Sequence, residues 1–311
     1  MPMTAAHRTV VTRPWVIALV VPLVLVSGRA AADQARGAQN QLSSPADDAE
    51  RMGRLTKTGV RVDGDQVRVW TSAGALSADE TKQLVQRLEL GVRALQVFLH
   101  TPRRWQDSRP RPVDYYFEDG PFFVPHATVN RQVLLPVSRL RDGKAPLLHE
   151  TTHALLTAPQ GRRPLAWLTE GLAAYAAKAV SAEQKIPEGD TFELGDVGEL
   201  DAKCAAGLST PQGPTIAPFI GAPGNLATLY AMEPAFQVRQ VFYGCSASFT
   251  KYLVDRFGIE RVVDLLPEDD PHKKLEELAG AKMTELRSAW ATKIGAKGPA
   301  PLREEGFARL R

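Results

Sequence analysis

Cysteine, histidine, a surplus of charge of either sign and long apolar runs are all scarce in this chain. Cys204 and Cys245 are its only cysteines. With no third thiol, two readings stand. One is a single disulfide, which in an oxidising compartment would add about 4 kcal/mol by the chain-entropy argument. The other is a pair of buried free thiols. The formal charge is +3, part of it carried by Arg8 and Arg13 near the N-terminus, so the remainder is close to neutral. No nucleic-acid partner is expected on that balance, and Arg103, Arg104, Arg109 and Arg111, set among prolines, read as a solvated loop. The apolar stretch over residues 15–26 falls short of the roughly 20 residues that cross a bilayer. A stable membrane span is therefore not expected.

That stretch has a different use. Arg8 and Arg13 precede it, and Ala30-Ala31-Ala32 place small residues just before Asp33. Residues 1–32 thus read as a signal peptide, and the protein as secreted or periplasmic. No cysteine follows to accept a lipid, so cleavage is the first expectation and an uncleaved anchor the alternative.

Beyond the leader, residues 33–56 lack periodicity and read as a disordered linker. Val60-Arg61-Val62 and Val67-Arg68-Val69-Trp70 alternate around Asp63-Gly64-Asp65, which predicts a hairpin. Ser77 and Glu80 form a capping box ahead of a stripe of Leu84, Leu88, Val92 and Leu95. Residues 113–117 and 129–135 read as strands. The part over 57–180 is accordingly α/β, followed by an irregular, proline- and glycine-rich segment over 181–234. A helical part over 235–296 carries Val238, Phe242, Cys245, Phe249 and Leu253 on one face and stops near Gly258. A loose tail ends the chain over 297–311. The fold class is α+β, a small mixed sheet with a mostly helical C-terminal part.

Against only six histidines, the run His149-Glu150-Thr151-Thr152-His153 stands out. Residues four apart share a helix face, so both imidazoles can grip one metal ion, and Glu150 can reach a water held there. Pro159-Gln160-Gly161 breaks that helix, and a second run holds Trp167-Leu168-Thr169-Glu170-Gly171-Leu172. At roughly 1.5 Å per residue, His153, Glu170 and His149 lie about 7, 10 and 13 Å from the connection in an antiparallel pair. Glu170 is thus level with the gap between the histidines. Two nitrogens, one carboxylate oxygen and an open position describe a catalytic zinc site. A hydrogen-bonded histidine pair on a helix surface is the plainer alternative.

These two segments resemble the gluzincin metallopeptidases, in particular peptidase MA-like domains, over residues 113–266. The resemblance implies one zinc ion on His149, His153 and Glu170, with Glu150 as general base acting on a peptide or protein substrate. It also implies a sheet edge beside the zinc, the equivalent region being residues 129–135, to which an extended peptide adds as a strand. An ordinary buried strand is the competing reading. In one respect the chain departs from the pattern: thermolysin-like members carry an aspartate four residues after the ligand glutamate, where this chain has Ala174. That leaves the outer partner of a zinc histidine to be supplied from elsewhere. The tetrahedral oxyanion needs a donor besides zinc, and Tyr243 is the first candidate, with His126 and Tyr230 behind it. A core-packing aromatic is the other reading of Tyr243. Three functions remain open: a zinc peptidase, a non-catalytic binding or assembly module of the cell envelope, and a zinc hydrolase of non-peptide amides or esters.

Overall fold

A computed structural model describes residues 44–100, 111–120, 124–128, 130–156, 165–190, 192–222 and 236–296. The leader expected over 1–32, Tyr230 and the tail expected over 297–311 lie outside them. By their contacts, residues 39–311 group as one unit.

The first element corrects an expectation. Residues 45–56, expected as disordered linker, belong to helix α1 (Pro45–Thr58). The signal is present in the sequence: Ser44 accepts from the Asp47 N–H while Asp47 reaches back to the Ser44 N–H, and Pro45 occupies the first turn. Its apolar content is low: Leu55 is its one buried apolar residue, with Met52 partly buried beside it, and its other buried residue is Asp48.

Strands β1 (Val60–Asp63) and β2 (Val67–Thr71) form the expected hairpin, with Val62 opposite Val69. Helix α2 (Ala78–Phe98) starts at the Ser77–Glu80 capping box. Strands β3 (Val113–Phe117), β4 (His126–Ala127) and β5 (Gln132–Leu135) complete a mixed sheet of order β1-β2-β3-β5-β4. β3 is parallel to β2 and β5, and the two outer pairs are antiparallel. Strand alternation divides the sheet into two faces. Val67, Val69, Tyr115, Phe117, Val133 and Leu135 pack inward on α2. Tyr116 and Leu134 face outward, against Leu55, Met52 and Trp70.

β5 is therefore interior, paired with β3 over residues 132–135 and with β4 at Val133 and Leu134, as the buried-strand reading of this stretch expects; Val129 lies outside the described residues. Among the described residues the edge strands are β1 and β4, and β4 is the edge next to β5. β4 has only two residues, too few to show an alternation in the sequence.

After the short helix α3 (Val137–Arg141) come α4 (Leu147–Leu155) and α5 (Ala166–Gln184), the two helices that carry the metal-site residues. α4 lies between two cores. Leu147 and Ala154 join the sheet-side cluster, whereas Leu148 joins the helical one. The segment expected to be irregular over 181–234 contains α6 (Leu200–Leu208) and α7 (Gly213–Ile216), the latter with Pro214 in its first turn. α8 (Phe236–Phe257) buries the whole predicted stripe, and Gly258, at φ +85°, ends it in a conformation that favours glycine. α9 (Ile259–Val263), α10 (Pro271–Ala279) and α11 (Met283–Lys293) follow. The fold is α+β as expected, and the cysteines form a disulfide, Cys204–Cys245, between α6 and α8. Among the described residues no helix is long and apolar enough to cross a membrane.

Candidate metal centre

α4 is held by packing on two sides and by the hydroxyls of Thr151 and Thr152. Thr151 and Thr152 turn their hydroxyls back to the Leu147 and Leu148 carbonyls, and Thr151 also meets the buried Tyr115 hydroxyl on β3 at 2.7 Å. Desolvation pushes that phenol well above its ordinary range, so it acts as a neutral hydrogen-bonding group. The sheet thereby sets the rotation of α4 and leaves His149 and His153 facing α5.

Glu170 meets them there. The ring Nε2 atoms of His149 and His153 are 3.2 Å apart, and Glu170 Oε2 lies 3.4 Å from the first and 3.2 Å from the second. His149, His153 and Glu170 thus form a group that could hold a metal ion. The donor set fits one: ligand bonds of about 2.0–2.1 Å at tetrahedral angles place neighbouring ligand atoms about 3.3–3.4 Å apart. Without a cation the arrangement is frustrated, because hydrogens on the nitrogens cannot satisfy all three contacts at once. In the metal-free protein burial opposes charge on His153, yet the Glu170 carboxylate outweighs it and raises the imidazole to about 9. Burial likewise opposes charge on Glu170, and the two imidazoles hold it far below the usual carboxylate range.

Glu150 is buried, and its charge is felt at His153 on one side and at Arg139 of α3 on the other. Tyr243, on α8, is buried with its ring centroid 6.0 Å from that of His149 and stacked on Phe192 at 4.1 Å. His126 points the other way. It sits opposite Leu134, which faces outward, and its Nε2 contacts Asp48 of α1 at 2.8 Å. It is therefore removed from the list of oxyanion donors.

Two residues that position the site have no local sequence signal. Gly171, next to Glu170, lies where α5 crosses α8, and a Cβ there would fall inside contact distance of Thr250 Oγ1 and the Ser246 carbonyl. Gly171→Ala should cost about 1–3 kcal/mol by overpacking, lower the melting temperature and weaken metal binding by displacing Glu170. Thermal melts with and without zinc check this, and an unchanged pair of melts would contradict it.

Glu188 is the second. The N-cap of α4 is Pro146, which offers no side-chain acceptor. Glu188 supplies two, accepting from the Leu148 N–H at 2.8 Å and the His149 N–H at 3.1 Å. Desolvation pushes its carboxyl up to about 8, against the pull of those two N–H groups.

Compared with known protein families and with characterised proteins, the chain finds no match in either. The structure and its residues therefore define the class: an α+β protein with a His-His-Glu cluster set between two helices.

Proposed function

We propose that the protein is an exported zinc-dependent metallopeptidase of gluzincin type, hydrolysing peptide bonds. The supporting observation is the 3.2–3.4 Å triangle of His149 Nε2, His153 Nε2 and Glu170 Oε2, which is the spacing a tetrahedral zinc ion requires. Bound zinc would supply Lewis acidity and bring the pKa of a coordinated water to about 7. Glu150 takes the proton of the attacking water and returns it to the leaving nitrogen. Tyr243, beside His149, donates to the oxygen that becomes negative as the carbonyl turns tetrahedral. The free edge of β4 offers backbone groups to an extended peptide, and strand addition of this kind tolerates varied side chains. The Cys204–Cys245 disulfide supports an oxidising compartment.

Metal analysis of the purified protein, followed by incubation with a broad peptide library, tests the reading. Zinc near one ion per chain and cleavage that stops on chelation and returns with zinc are the expected results. Cleavage of esters or non-peptide amides alone would move the substrate class. Zinc bound without turnover would make the protein a binding module.

A further inference from the structure

Helices α4 and α5 are antiparallel, and each brings part of one ligand set. Their shared geometry must hold to within a few tenths of an ångström for chelation to succeed. At one end the chain itself joins them, through residues 157–164. At the other end no covalent link exists, and it is there that Glu188 sits.

The route is short. α5 ends at Lys185, whose φ of 53° turns the chain back, and the Ser181 hydroxyl on α5 donates to the Ile186 carbonyl at 2.7 Å. Arg87 of α2 donates to the Pro187 carbonyl. Lys178 of α5 pairs with Asp190 at 2.9 Å, and the Gly189 N–H donates to the Ala145 carbonyl at 3.0 Å, just before α4. Gly189 lies so close to the Lys144 backbone that a Cβ would overlap it. Residue 188 is thus held from both sides, and its side-chain oxygen accepts from the N–H of the ligand residue His149 itself.

We propose that Glu188 is a positioning residue for the metal centre, a brace that ties the exit of α5 to the first turn of α4 and so fixes the separation of His149 from Glu170. The proposal rests on the metal reading above and adds to it a residue that touches neither metal nor substrate. The physical basis is twofold. A carboxyl group at a helix N-terminus satisfies N–H groups that otherwise have no partner. Bonding the backbone of a ligand residue limits the freedom of its imidazole, as outer partners of metal ligands do.

The test uses the full chain as wild type, Glu188→Ala, Glu188→Gln and Glu89→Ala. Glu89 provides the control because it is another buried carboxyl that accepts two backbone N–H groups, those of Gln66 and Val67 at 2.6 and 3.0 Å, at the start of β2 rather than on a helix that carries a ligand. Zinc affinity is read by competition with a chromophoric chelator, and ligand geometry by the visible absorption of the cobalt(II)-loaded protein. Glu188→Ala should bind zinc about 10–100-fold more weakly and alter the cobalt bands. Glu188→Gln keeps one acceptor but turns its NH2 toward the other N–H, so it should recover part of that loss. Glu89→Ala should lower the melting temperature and leave both metal readouts unchanged.

A folded Glu188→Ala protein with wild-type zinc affinity and cobalt spectrum overturns the brace. Should the alanine variant fail to fold, wild-type affinity in Glu188→Gln overturns it equally. Wild-type protein that binds neither zinc nor cobalt brings down the metal reading itself, an outcome distinct from both.

Discussion

Glu150→Gln should retain its zinc and lose peptide hydrolysis by about 10²–10⁴-fold, the usual contribution of a positioned general base. The amide is close in size to the carboxylate, and Glu150 is not one of the three clustered ligands, so the chelating triangle survives. What the amide cannot do is accept the proton of the attacking water. His149→Ala should behave differently. It removes one corner of the triangle and should lose both metal and turnover. Elemental analysis and initial rates on one peptide substrate separate these outcomes. A Glu150→Gln protein that cleaves at the wild-type rate would remove Glu150 from the mechanism.

Replacing Cys204 and Cys245 together by serine should lower stability by about 4 kcal/mol, because the bond closes a loop of 41 residues between α6 and α8. For a chain of this size that corresponds to a fall in melting temperature on the order of 10 °C. Cys245 lies two residues after Tyr243 on α8, so the variant should also lose catalytic rate if the bridge helps to hold that phenol beside His149. Thermal unfolding of the double variant, and of wild type under reducing conditions, provides the check. A shift of less than about 2 °C would mean that packing around α8 makes the bridge redundant.

Much of the site was legible because it is local. His149 and His153 are one helical turn apart, so one helix suffices to put both on the same face. Glu170 was reached by counting back from a chain break, which works only because α4 and α5 lie side by side. The α2 and α8 stripes were legible for the same reason, since burial on one helix face repeats every three to four residues. The Ser44–Asp47 capping box announced α1, but the sparse apolar content of that helix hid it.

By itself the sequence determined which side chains could come together around a metal ion and which helix faces must be buried. Each of these follows from backbone periodicity and the chemistry of individual side chains. Only the tertiary structure decided that β4 rather than β5 forms the edge, that His126 faces outward to Asp48, that Cys204 meets Cys245, that Tyr243 lies beside His149, and that Glu188 caps the helix of the first ligand. Those pairings join residues 39 or more positions apart, or turn on the order of strands in the sheet. They depend on the path of the intervening chain, which no periodicity records.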